Sequence, residues 1–152
     1  MSQATKGQTM KTIRWQIVME GEGEYPSPFK TALSVHQDLE RRGIAFSDRE
    51  NFCVYLLDTK HRPVGFEIVS VGILNGSVIH PREIFKAAIV ANAAAIILVH
   101  NHPSGDPEPS AEDGGVTRSL VDAGKLLRIN VLDHVITGPA GKFYSYQEAG
   151  KI

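Results

Sequence analysis

Along residues 13–19, Ile13, Trp15, Ile17 and Met19 alternate with Arg14, Gln16 and Val18, a period of two that predicts a half-buried strand. Gly21, Gly23, Pro26 and Pro28 then break the chain. Over residues 27–42 the repeat lengthens. Phe29, Leu33, His36 and Leu39 fall near one face of a helix, and Gly43 supplies a C-terminal stop. Residues 52–57 (FCVYLL) read as a strand, 58–63 carry turn chemistry, and 64–73 read as the returning strand of a hairpin. Asn75-Gly76 marks another turn. Pro81, after His80, opens a helix running to about residue 93, because proline suits the first helical position. The apolar run 94–99 fits a fully buried central strand. Residues 100–109 read as a Pro- and Gly-rich loop, and 110–127 as a helix weakened near its start by Gly114 and Gly115. Residues 129–136 read as a strand, 138–141 as a turn, Phe143-Tyr144 as an edge strand, and the tail as weakly helical. No repeat or low-complexity tract interrupts this order. The pattern predicts an α/β to α+β fold: a single mixed β-sheet flanked by helices.

Composition narrows the class. A chain of 152 residues can bury a core without disulfides or a structural metal. With 42% hydrophobic and 22% charged residues, wholesale disorder is excluded. The expected organisation is a flexible tail over residues 1–11 and a single domain over 12–152. The net charge of −1 supplies no global field toward nucleic acid or an anionic membrane. With Cys53 as the one cysteine, neither an intrachain disulfide nor a cysteine zinc cage can form, and a reducing, cytoplasmic setting is expected. No secretory h-region is built near the start. The longest apolar stretch, 87–99, is interrupted by Asn92 and falls short of the roughly 20 residues a membrane helix needs.

The segment HNHPSGDPEPSAED, residues 100–113, carries the candidate chemistry. His100 and His102 stand two apart where a buried strand emerges, and strand side chains at i and i+2 point the same way. Two imidazoles side by side can ligate one metal ion, and neutral imidazole is a standard zinc ligand. A catalytic zinc usually takes three protein ligands and keeps one position open. Asp113 is the best third candidate. Residues 103–109 hold three prolines and one glycine, a stiff connection that can carry the chain back over the histidines. A helix opening at Ser110 then places Asp113 in its first turn, where the helix dipole favours a carboxylate. Each piece also has a structural explanation. Ser-x-x-Asp before a helix is a capping device, and paired histidines occur on ordinary strand ends. The joint arrangement is what favours a metal site: His-x-His, seven residues, then Ser-x-x-Asp, straight after a buried strand.

That arrangement resembles the JAMM motif of JAB/MPN-domain metallopeptidases. The surrounding text, LVHNHPSGDPEPSAEDGGVTRSLVDAGKLLRINVLDHVITG, is similar to the bacterial RadC-type branch, and the similarity spans roughly residues 46–148. The His/His/Ser/Asp spacing matches the family without deviation. The resemblance implies a JAB/MPN fold, cytidine-deaminase-like in architecture, and one zinc ion per chain held by His100, His102 and Asp113. It assigns Ser110 to the active-site water or the developing oxyanion. It also implies a glutamate general base upstream, just before a strand. Glu50 fits that place best, with Glu67 and Glu83 as alternatives. The implied activity is hydrolysis of a peptide or isopeptide amide by metal-activated water, without a covalent intermediate. The substrate is a peptide or protein of unknown identity.

Other residues receive quieter readings. Asn101 should face away from the histidines and make a structural hydrogen bond. Asp133-His134 resembles a recurrent family dipeptide and is expected to orient or pack against the metal site. Asp106 and Glu108 solvate their loop, His80 caps a helix, His36 and His61 lie on the surface, Cys53 is a small buried residue, and Trp15 packs in the core. Three other functions compete. A DNA-repair-associated module has little support from charge. Full-length RadC proteins carry a helix-hairpin-helix region ahead of the metal domain, and the roughly 45 residues before the matched region read instead as one strand and one helix. A non-catalytic MPN scaffold would lose the ligands, which this chain keeps. A zinc base deaminase needs His-x-Glu and a Pro-Cys-x-x-Cys pair, which one cysteine cannot supply. Paired sheet edges would allow a homo-oligomer.

Overall fold

The computed structural model describes residues 27–72 and 79–152. The expected strand over 13–19, the tail over 1–11, Trp15 and the Asn75-Gly76 turn lie outside the described residues.

Helix α1, Ala32–Arg41, opens at Thr31, whose hydroxyl accepts from the Ser34 backbone while the Ser34 side chain reaches back. Because the helix starts there, its inward stripe is Ala32, Val35, His36 and Leu39, the i, i+3, i+4, i+7 set. Leu33 therefore turns outward, 47% exposed, against the expectation that it shared the buried face. Gly43, at φ 77°, follows the helix in the left-handed region that ends helices. A 3₁₀ turn, Ile44–Phe46, leads to the hairpin of β1, Glu50–Leu57, and β2, Pro63–Gly72. Helix α2, Pro81–Val90, begins with its proline after His80, which stands at the cap position but makes no side-chain capping bond. It stops three residues short of the predicted end. Strand β3, Ala95–Asn101, is followed by α3, Ala111–Leu127, β4, Asn130–Thr137, and β5, Phe143–Ser145. The tail after β5 forms turns rather than a helix.

Among the described residues the sheet runs β2-β1-β3-β4-β5. Strand β3 is antiparallel to β1 and parallel to β4, so the sheet is mixed. Both faces are covered. Phe52, Val54, Leu56, Ile96, Leu98 and Val131 pack against Ile84, Phe85 and Leu120 of α2 and α3. Cys53, Tyr55, Leu57, Ile97, Val99 and Val135 pack against α1. Burial on both sides explains why β1 and β3 read as continuous apolar runs rather than alternating ones. Helix α3 lies so close to β4 that a Cβ on Gly124 would stand 2.5 Å from the Ile129 carbonyl oxygen, so only glycine fits there.

His36 corrects an expectation. It is 1% exposed, not a surface residue, because it belongs to the inward stripe of α1. Its Nδ1 meets Thr137 Oγ1 at 2.5 Å, its Nε2 lies 3.2 Å from Glu40, and its ring stacks on Phe143. The C-terminal end of β4 supplies, in Thr137, a polar partner that no sequence pattern announces. Among the described residues no helix is long and apolar enough to cross a membrane.

Candidate metal centre

Strand β3 continues two residues beyond its predicted end, so His100 and Asn101 are strand residues rather than loop. His100 pairs with Phe52 of β1 and Ile136 of β4, and its side chain points to the α2/α3 face. Asn101 points to the other face, as alternation requires. Its Oδ1 accepts from the Asn51 backbone at 2.7 Å, and its amide donates to the Arg49 carbonyl at 2.9 Å. The expected structural bond thus clamps the entry to β1.

The loop then folds back. Ser110 caps α3, with its Oγ accepting from Asp113 N at 3.1 Å and its own N–H donating to Asp113 Oδ2 at 2.8 Å. The cap and the convergence coincide. The bond that closes the capping box also turns the Asp113 carboxylate toward the histidines. Asp113 Oδ1 lies 3.3 Å from His100 Nε2, and Oδ2 lies 3.3 Å from His102 Nε2. The two imidazole nitrogens are 3.0 Å apart. One ligand atom from each residue falls within 4.8 Å of the others, and this is the one such cluster among the described residues.

The hydrogen bonds around these residues suit them to a cation. His102 Nδ1 lies 2.8 Å from the Asp106 carbonyl, which can only accept, so in the neutral ring Nδ1 carries the proton and Nε2 presents a lone pair. Asp113 brings two further acceptors and a negative charge. Acceptors that face one another repel unless a positive species sits between them, either a proton on an imidazole or a metal ion. The electrostatics carry the same demand. Burial alone would raise the Asp113 carboxyl, but contacts with His100 and His102 hold it far below the usual carboxylate range. The Asp113 hydrogen bond lifts His102 above its ordinary value against the pull of burial, helped by the Asp106 carbonyl and by the charges of Asp113 and Glu50. Two imidazoles and one carboxylate are a standard donor set for zinc, with room for a further ligand. The residues present fit such an ion.

Glu50 is the first residue of β1, partly buried, and alternation puts it on the face of Phe52, whose ring stacks over His100 at 5.7 Å. Its charge reaches His102. Glu67 sits opposite Val54 on β2, two strands from β3, and Glu83 lies on the first turn of α2 beside Arg82 and Lys86. Asp106 contributes a backbone carbonyl to the site, and its side chain accepts from Glu108 N at 3.0 Å. Asp133 and His134 part company. Asp133 faces the α1 side and accepts from Ser145 Oγ at 2.6 Å, whereas His134 faces α3 and reaches His100 Nδ1 at 2.8 Å. An extra residue in β4, Leu132, makes this possible. The pairing passes from Ile96–Val131 to Ile97–Asp133, which turns His134 to the side it would otherwise avoid. Sequence reasoning missed Thr117, whose hydroxyl lies 2.6 Å from His134 Nδ1. Its position one helical turn after Asp113 was the available signal.

Comparison with known proteins places this architecture. Residues 29–151 match the family described as the RadC-like JAB domain. The chain belongs to that family. Its JAB domain begins earlier than the motif resemblance alone reached, and takes in α1. The chain is also similar to relatives named UPF0758 protein. The one from Moorella thermoacetica is 58% identical over 103 residues, 68% of this chain and 44% of its own length. The one from Desulforamulus reducens is 53% identical over 105 residues, covering 69% and 46%. The one from Methanosarcina mazei is 51% identical over 104 residues, covering 68% and 45%. The match thus spans less than half the length of these relatives.

Proposed function

We propose that this RadC-like JAB domain is a zinc-dependent amide hydrolase acting on a peptide or isopeptide bond. The observation that carries the reading is the convergence of His100 Nε2, His102 Nε2 and Asp113 at contact distances of 3.0–3.3 Å around a point that calls for a cation. His100, His102 and Asp113 would hold the ion. Bound there, zinc would supply an acidified water and polarise the scissile carbonyl. Glu50, at the mouth of β1, takes a proton from the attacking water and returns it to the departing amine. Ser110 spends a lone pair on its cap, so its hydroxyl proton can be donated to the oxygen that gains charge in the transition state.

Elemental analysis of the purified chain tests the site. About one zinc per chain is expected, and it is lost in both His100→Ala and Asp113→Ala. Peptide and isopeptide substrates are then screened, with Glu50→Ala as the variant that keeps zinc and loses turnover. A wild-type chain that holds no metal after zinc is added back overturns the hydrolase reading, and the domain is then a JAB-type binding scaffold.

A further inference from the structure

The second nitrogen of His100 is as informative as the first. His100 Nδ1 lies 2.8 Å from His134 Nε2, and His134 Nδ1 lies 2.6 Å from Thr117 Oγ1. Thr117 Oγ1 lies 2.7 Å from the carbonyl oxygen of Asp113. All of these residues but Asp113 are buried to 3% exposure or less. The direction of each bond can be fixed from the far end. A carbonyl only accepts, so the single Thr117 hydroxyl proton goes to Asp113. Thr117 Oγ1 must then accept from His134, which places a proton on His134 Nδ1. Neutral His134 therefore presents a lone pair at Nε2, and His100 must donate to it from Nδ1. That leaves His100 Nε2 as a lone pair, aimed at Asp113 and His102.

We infer that His134, set by Thr117, is a positioning residue that locks His100 in its Nδ1–H tautomer and keeps Nε2 available as a ligand atom. The chain of bonds starts at one ligand residue and ends on the backbone of another, so it also fixes β3 and α3 relative to each other. A ligating histidine usually donates its other N–H to a carboxylate, a carbonyl or water. An imidazole in that place is ambiguous, because either of its nitrogens can carry the proton. Thr117 removes the ambiguity. The arrangement orients His100 without adding a second buried negative charge beside Asp113. The rings are pinned as well, with Phe52 stacked on His100 and Tyr146 stacked on His134 at 5.1 Å.

The consequence for metal affinity rests on the proposed zinc site, but the tautomer itself belongs to the metal-free chain, so the two can fail separately. Long-range proton–nitrogen NMR on the metal-free, nitrogen-15-labelled full chain reads the tautomers directly. Wild type should show Nδ1–H at both His134 and His100. Thr117→Val keeps the shape but neither accepts nor donates, so the His100 and His134 signals should leave the pure Nδ1–H pattern, while Thr117→Ser restores it. Zinc affinity, read by competition with a chromogenic chelator, should fall about 10- to 100-fold in Thr117→Val and recover in Thr117→Ser. A wild-type spectrum with His100 as Nε2–H overturns the inference without any variant. So does a folded Thr117→Val that keeps the wild-type tautomers and zinc affinity. If wild type binds no zinc yet its tautomers shift in Thr117→Val and return in Thr117→Ser, the metal reading fails and the positioning role stands.

Discussion

Ser110 caps α3 and is proposed to donate to the substrate oxygen, and single substitutions can separate the two. As a cap, its Oγ accepts from Asp113 N. As a reacting group it would donate its proton to the substrate. Replacing an N-cap serine with alanine costs about 1 kcal/mol, whereas glycine costs only a few tenths. Ser110→Gly should therefore shift the urea midpoint little and retain zinc, yet lower kcat by about 10²- to 10³-fold, the usual loss when one oxyanion donor is removed. If Ser110→Gly keeps full turnover, the hydroxyl only caps. The sequence offered both readings of Ser110 and Asp113 as rivals. The folded chain shows a capping bond that aims the carboxylate, so cap and candidate ligand are compatible. Sequence alone could not reveal this, because the outcome depends on which way the Asp113 oxygens turn after the loop closes.

At the scale of elements, β3 carries the site and Asn101 ties β1 to it. The Asn101 Oδ1 accepts from the Asn51 backbone N–H and its amide donates to the Arg49 carbonyl, on either side of Glu50. Asn101→Ala leaves the buried Asn51 N–H without this partner, at a cost of about 1–3 kcal/mol, while the Arg49 carbonyl keeps its bond from the Asn51 side-chain amide. The Asn101 side chain bonds to Asn51, Arg49 and Ser47 and to none of the three candidate ligands. The expected result is a folded, zinc-retaining chain with a lower urea midpoint and a kcat reduced together with kcat/KM, because Glu50 loses its anchored approach. Unchanged turnover would show that β1 holds Glu50 without the clamp. The same residue explains what was legible and what was not. Strong apolar runs made β1 and β3 readable to within a few residues. The end of β3 was misplaced because His100 and Asn101 are polar, and their burial is possible only through partners on β1 and β4, far along the chain. His36 was misjudged for the same reason, since its partner Thr137 is distant in sequence. Thr117 lacked any motif, and His134 reaches the site only through the extra residue at Leu132.

For the molecule as a whole, the two faces of the sheet have different work. The α1 face is packing plus buried structural contacts, while the α2/α3 face gathers the candidate ligands and their supporting chain. A metal ion joining β3 to α3 would therefore add to global stability, and protons compete with it. In the metal-free chain His102 is raised in the fold. Its contribution is fully present below the ordinary imidazole value near 6.5 and is lost as pH rises through the folded value. Asp113 is lowered, so its contribution is present above the ordinary carboxylate value and is lost only as pH falls through its far lower folded value. Metal-free protein should thus be more stable at pH 6 than at pH 8 as far as these groups decide. Zinc must displace the proton on His102, so its stabilisation grows over the same interval. At free zinc about 100 times its Kd, the gain is about 2.7 kcal/mol. For a chain of this size that is roughly 5–10 °C in Tm. Thermal unfolding with buffered zinc and with chelator, at pH 6 and pH 8, should show the larger zinc-induced shift at pH 8, with the shift abolished in Asp113→Ala. A larger shift at pH 6, or an equal one in Asp113→Ala, would mean that zinc binds somewhere other than the His100, His102 and Asp113 cluster.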